Sequence, residues 1–333
     1  MRETWVDNRI PVSAPLVAGR DALRGAPRAR RSRESTRLLS RDCHVCNASG
    51  PVRSAGFTQR YRQHGAAAVE VEWWECGSCR SWFGWPHPTP AQIARNWETT
   101  SYNDPRHAAD YARRKVASQE ALLDALATHA ARKGALLDYG SNFGTFLEMA
   151  RARGWNAVGA DAFRTAVELT RAKGFVTHLG WELETLDLPA GSLDAIASND
   201  VLYYVWHPFR HLQRAFELLH PGGALAIRTT NKRRLEGILR AITPPGPRRD
   251  RALSHVLQDQ FHSMTVHTLA RVLTRIGFRV AEVRSGATTA PSSGYPLYSR
   301  LVYGAAGWLD RITAGWINVS PGVCVVAVKP IAG

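Results

Sequence analysis

Four of the five cysteines stand in two matched pairs, Cys43-His44-Val45-Cys46 and Cys76-Gly77-Ser78-Cys79. A C-x2-C turn lets two thiolates converge on one ion, and two such knuckles complete a tetrahedral zinc shell. The 29 residues between the pairs alternate in strand fashion, notably Ala68-Val69-Glu70-Val71-Glu72-Trp73-Trp74, so a hairpin would bring the knuckles together. Disulfides or unrelated buried thiols are the competing readings; a cytosolic setting disfavours the first and the matched pairing the second. Four thiolates leave no open coordination position, so the expected Zn2+ supports folding and not catalysis. His44, His64 and His87 lie nearby, outside a shell already full. Cys324, in the apolar run Val323-Cys324-Val325-Val326-Ala327-Val328, reads as a core strand residue.

A second constellation begins at residue 135, Ala-Leu-Leu-Asp-Tyr-Gly-Ser-Asn-Phe-Gly-Thr-Phe-Leu. An apolar strand (135–139) enters a turn holding Gly140 and Gly144, and a helix follows over about 143–153. Glycines there permit unusual backbone angles and let a ligand approach the main chain. About twenty residues on, the strand 156–160 ends in Asp161. An acid at the tip of that strand can hold both hydroxyls of a ribose.

The elements that must position these residues follow in regular order. A helix (163–173), a strand (175–179), a strand (193–198) ending at Asn199-Asp200-Val201-Leu202-Tyr203-Tyr204, a helix (208–219) and a strand (224–229) alternate along the chain. That spacing predicts an α/β fold with a doubly wound parallel sheet and ligands at the carboxyl ends of its strands. Two later strands, around 277–283 and 322–328, would bring the sheet to seven, with 297–316 as a helical piece between them.

Length, charge and hydropathy bound the rest. The 333 residues contain no run of about 18 apolar positions, so no transmembrane helix is expected, and the start leads into no signal-like apolar region. A soluble cytoplasmic protein is expected. The formal charge is +15, with the excess in the flanks: +5 in residues 1–40 and +9 in 231–333, against +1 in the body between. A basic excess attracts polyanions such as nucleic acid, anionic lipid or phosphorylated small molecules. Arginine outnumbers lysine 38 to 5, which is also the bias of a GC-rich genome. Residues 1–40, rich in Arg, Ala, Pro and Ser, read as a basic disordered extension. A zinc ribbon at 41–86 and a helical linker or lid at 87–133 follow, then the α/β domain at 134–333. Within the last, the basic segment from Lys232 to Arg251, with Pro244-Pro245-Gly246-Pro247 in its middle, reads as a loop. The surrounding insertion, about 231–262, either binds a phosphate or carboxylate of an acceptor or is simply solvated.

Taken in order, Asp138-Tyr-Gly140-Ser-Asn-Phe-Gly144, Asp161, Leu186-Asp-Leu-Pro189, Leu193-Asp194-Ala195-Ile196 and Leu219-His-Pro221-Gly222-Gly223 resemble the class I S-adenosylmethionine-dependent methyltransferases. The resemblance covers about 134–230 and implies a Rossmann-like sheet of seven strands preceded by a small four-cysteine zinc ribbon. The head (the ribbon, then Pro86-x-Pro88-x-Pro90, then a helix bearing Tyr102 and Tyr111) is similar to a bacterial subgroup that methylates sugars and natural-product or cell-envelope intermediates. Ser141-Asn142 is similar to the turn of sugar C-methyltransferases.

Roles follow by that resemblance. Asp138 would accept from the ammonium of S-adenosylmethionine, while Gly140, Ser141, Asn142 and Gly144 shape the turn under its methionine part. Asp161 would take the ribose hydroxyls, with Ala162 and Phe163 beside the adenine. Trp181, Glu182 and Leu183 would cover the adenine edge, and Asn199 would face the substrate; for Trp181, plain surface-loop packing is the other reading. Methyl transfer is an in-line displacement helped by proximity and water exclusion, and needs a base only for an acceptor proton of high pKa. Many relatives carry a Glu-His pair after the fourth strand, where this chain has Tyr203-Tyr204. The catalytic candidates are therefore His262, as base or as a packing residue, and Tyr204, as an orienting hydroxyl. The partner expected is a small-molecule acceptor, phosphorylated and nucleotide-linked molecules included. An RNA base methyltransferase is the rival, disfavoured because no Asn/Asp-Pro-Pro-aromatic sequence follows the fourth strand. A non-catalytic relative is the third reading.

Overall fold

A computed structural model describes residues 39–61, 69–87, 89, 104–257, 260–285, 304–305, 308–309, 312–313, 320 and 322–331, all within one compact unit, Thr36–Gly333. Almost all of the expected basic extension, together with His64, Pro88, Pro90 and Tyr102, lies outside the described residues. So does most of 297–316, which is helical at 304–305, 308–309 and 312.

Strands β1 (Leu39–Asp42), β2 (Ser49–Tyr61), β3 (Val69–Cys76) and β4 (Trp82–Trp85) form an antiparallel ribbon. The alternation in β3 has the expected cause: Val71 and Trp73 are buried while Glu70 and Glu72 face out. The β2–β3 hairpin sets Val52 opposite Cys76 and so carries the second knuckle back to the first. A two-residue strand from the far half of the chain, β10 (His262–Ser263), pairs with β4 and extends this sheet to five strands.

Helix α1 (Ala108–His129) then leads into the second sheet. Its strands are β5 (Ala135–Tyr139), β6 (Asn156–Asp161), β7 (Thr177–Leu179), β8 (Leu193–Asn199), β9 (Leu219–Thr230), β11 (Arg279–Ser285) and β12 (Gly322–Val328). They lie in the order β11-β12-β9-β8-β5-β6-β7; β12 runs antiparallel to both β11 and β9, and the remaining pairs are parallel. The seven-stranded, mostly parallel sheet expected from the sequence is present. Helices α2 (Thr145–Ala152), α3 (Arg164–Ala172), α4 (Pro208–Leu218), α5 (Arg233–Ile242), α6 (Pro247–Leu257) and α7 (Val266–Ile276) lie among the strands.

Both sheet faces are covered, so the central strands read as continuous apolar runs. Leu137, Leu225 and Ile227 pack on one face with Leu212 and Leu218 of α4 and Leu269 and Leu273 of α7. Leu136, Ala224 and Ala226 pack on the other with Leu122 and Leu126 of α1 and Phe146 of α2. The ribbon is not a separate body: Cys43, Cys46, Val52, Cys76, Cys79 and Phe83 belong to the first of these clusters.

One expectation is corrected. The segment 232–251, read as a loop, is largely helical, forming α5 and the first turn of α6. Pro244, Pro245 and Gly246 lie between the two helices, and Pro247 sits at the start of α6, where a missing amide proton costs nothing.

Candidate active site and metal centre

The carboxyl ends of β5, β6 and β8 meet at a half-open cleft. Its floor is the turn after β5. Gly140 sits at φ +88°, and its amide, with that of Ser141, donates to the Ala160 carbonyl at 2.8 and 3.1 Å. Gly140 is required on two counts: the left-handed angle, and a Cβ there would stand 2.3 Å from Cγ2 of Val201. Asn142 (φ 43°) continues the turn and Gly144 (φ 79°) caps α2.

Asp161 locks this turn to the next. Its Oδ2 accepts from the Asn142 amide at 2.8 Å and its Oδ1 from the Phe163 amide at 3.0 Å. Burial pushes its carboxyl up to about 6 despite those donors, because desolvation outweighs them. Asp138, one residue before the strand end and 2% exposed, is pushed up to about 8, first by burial and then by the charge of Asp161. Two acids at the tips of neighbouring strands thus resist double ionisation until a cation or donor arrives.

Among the residues expected from the sequence, Gly140, Asn142, Asp161, Ala162, Phe163 and Trp181 line the cleft, as do Asn199 and Tyr204. Asp138, Ser141, Gly144, Glu182 and Leu183 stand behind or beside that wall; Leu183 is fully buried. His262 is also off the wall. It is buried, its Nε2 donates to the Leu202 carbonyl at 2.8 Å, and burial lowers its imidazole to about 4, so the ring is neutral. With Phe261, whose amide donates to the Tyr203 carbonyl at 2.9 Å, it fixes the short 3-10 turn Leu202–Tyr204.

Two charged residues of the cleft, Lys115 and Asp200, carried no expectation from the sequence. Lys115 of α1 reaches Asp200 at 2.6 Å, and Asp200 (φ 60°) also pairs with Arg228 of β9. Asp200 adjoins Asn199 and could have been found by its position after β8. Lys115 is 85 residues away and carried no local signal.

The residues present fit a polar nucleotide-like cofactor. Three buried polar atoms on the cleft wall, Asn142 Oδ1, Trp181 Nε1 and Asn199 Oδ1, have no hydrogen-bond partner among the described residues. Such atoms are costly unless a ligand satisfies them.

At the ribbon, the four sulfurs lie within 4.8 Å of one another, with Cys43–Cys79 at 3.7 Å and Cys46–Cys76 at 4.0 Å. A tetrahedron of Zn–S bonds near 2.3 Å has edges of about 3.8 Å, so the donor set and its spacing suit zinc. His44 and His87 stay outside this group and pair with each other at 2.9 Å. The core holds each knuckle: Arg275 donates to the Cys46 carbonyl at 2.7 Å, Thr268 to that of Cys79 at 3.2 Å and Arg233 to that of Arg80 at 2.8 Å.

A methyltransferase-domain family profile matches residues 108–283, more than half of the chain. No curated protein matches the sequence. A chain of the complex between the Haloferax volcanii Trm112 methyltransferase activator and a methyltransferase superposes with TM-score 0.50 at 16% identity, over 69% of this chain and 96% of that one. A Mesorhizobium loti S-adenosylmethionine-dependent methyltransferase gives 0.43 at 21% identity over 64% and 98%. Burkholderia thailandensis 1,6-didemethyltoxoflavin-N1-methyltransferase gives 0.46 at 16% identity over 82% and 99%. No described helix is long and apolar enough to cross a membrane. The family match, falling on the strands that build this cleft, shows that the chain belongs to the methyltransferase-domain family and is an S-adenosylmethionine-dependent methyltransferase.

Proposed function

We propose that the protein methylates a small-molecule acceptor, a sugar or natural-product biosynthetic intermediate, with the four-cysteine ribbon holding a structural Zn2+. The observation that carries this reading is the rim of the cleft. Tyr111, Tyr203 and Tyr204 make an aromatic wall suited to a compact ring, and the Lys115–Asp200 pair adds a polar anchor.

In this reading S-adenosylmethionine supplies an activated sulfonium methyl. The Gly140–Gly144 turn and Asp138 hold the amino-acid end, Asp161 the ribose hydroxyls, and Phe163 and Trp181 the adenine, their rings 6.2 Å apart in an edge-on arrangement. Glu182 and Leu183 support that wall from behind. Asn199 and Tyr204 orient the acceptor along the line of displacement. His262 acts as a positioning residue: neutral and hydrogen-bonded to Leu202, it sets the turn that presents Tyr204. Proximity and water exclusion then supply most of the rate.

The test is methyl transfer from labelled S-adenosylmethionine to a panel of nucleotide sugars and small-molecule extracts, run beside structured RNA. Label in a small molecule, reduced in Tyr204→Phe with cofactor affinity retained, supports the reading. Label in RNA alone, with affinity falling steeply as salt rises, overturns it in favour of a nucleic-acid acceptor.

A further inference from the structure

Helix α5 is amphipathic in the reverse of the usual sense. Its polar stripe, Arg233, Glu236 and Arg240 at i, i+3 and i+7, faces the protein. Glu236 is fully buried and accepts from Ser263 Oγ at 2.7 Å. Arg233 and Arg240 approach the buried Glu75 of the ribbon at 3.5 and 3.4 Å and lie over the Trp82 ring at 4.3 and 5.7 Å. The apolar stripe has the same spacing and points outward: Leu235, Ile238 and Ile242 are 44, 56 and 71% exposed. A surface helix ordinarily buries such a stripe, and three large aliphatics left together in water mark an interaction face.

Charge narrows what can cover it. Residues 232–251 hold seven cations against Glu236 and Asp250, a net charge of +5. Arg234, next to the stripe, and Arg248 and Arg251 on α6 are exposed and form no ion pair among the described residues. A second copy of this hairpin would oppose +5 with +5. Residues 1–38, with nine arginines and four acids, are likewise repelled. Nucleic acid would satisfy the arginines and leave the aliphatic stripe in water. An anionic lipid surface satisfies both.

We propose that the α5–α6 hairpin docks the enzyme on anionic membrane surfaces. Leu235, Ile238 and Ile242 seat at the boundary between headgroups and acyl chains, and Arg234, Arg248 and Arg251 engage the lipid phosphates. The ribbon has a part in this, since Glu75 and Trp82 hold the polar side of α5 inward and so keep its apolar side out.

The full chain is tested by co-sedimentation with phosphatidylcholine vesicles, with and without phosphatidylglycerol, at low and high salt. The expected result is partition onto the phosphatidylglycerol-containing vesicles only, weakening as salt rises. A Leu235→Ser, Ile238→Ser, Ile242→Ser variant should lose at least tenfold in partition while S-adenosylmethionine binding is unchanged. Reversing Arg234, Arg248 and Arg251 to Glu should weaken partition by about fivefold or more per site. Absence of partition, or partition unaltered by the aliphatic variant, overturns the proposal. So does a wild-type dimer that the aliphatic variant converts to monomer, which would make a second copy the occupant.

Discussion

Gly140→Ala tests whether the floor of the cleft is built as described. The added methyl enters a residue at φ +88°, where a side chain costs about 1–2 kcal/mol. It also lands 2.3 Å from Cγ2 of Val201, more than an ångström inside van der Waals contact, an overpacking of about 1–3 kcal/mol. The sum is about 2–5 kcal/mol of lost stability. The two parts separate in a double-mutant cycle. Val201→Ala removes Cγ2 and leaves Cβ 3.4 Å away, so in that background Gly140→Ala should retain only the backbone share. The expected coupling is about 1–3 kcal/mol, read from urea midpoints of the four proteins. Cofactor affinity should fall with Gly140→Ala and recover in part in the double variant. An unchanged midpoint for Gly140→Ala, or zero coupling with Val201→Ala, would refute the account of the turn.

Cys76→Ser should remove the bound metal and destabilise the ribbon together with the core it shares; metal analysis should give one zinc per wild-type chain and none per variant. Asp138 has a folded-state value near 8 against an ordinary 3.8, so the stability it contributes is fully present below about 4 and is lost as pH rises through about 8. Asp138→Asn should therefore gain on wild type in thermal melts as pH rises across that window, and a constant difference would contradict this. Arg275→Ala removes the donor to the Cys46 carbonyl and should cost about 1–3 kcal/mol by leaving that knuckle unpaired, measured by denaturant unfolding.

The sheet was legible because its cues are local. Apolar runs such as Ala135–Tyr139 and Gly322–Val328 are buried on both faces, and the glycine turn and Asp161 sit directly at strand ends. The cysteine pairs were legible for the same reason, since each knuckle is a four-residue turn. What failed was set by distance along the chain. Nothing near Lys115 indicates that Asp200 will meet it, and His262 looked available until Leu202, sixty residues away, took its Nε2. The α5–α6 region misled because its cations outweigh its helical spacing: a stripe of Arg, Glu and Arg reads as a solvated face, yet Glu75 and Trp82 draw it inward. Composition names the charge of such a helix and leaves its direction to the tertiary partners.

In the proposed reading Asp161, at the tip of β6, holds the cofactor in this cleft. Calorimetric titration of the zinc-loaded protein with S-adenosylmethionine, beside Asp161→Ala, tests it most directly. The expected result is one-to-one binding by wild type and at least a tenfold loss in a variant that still unfolds cooperatively. Equal affinity in the two folded proteins would contradict it.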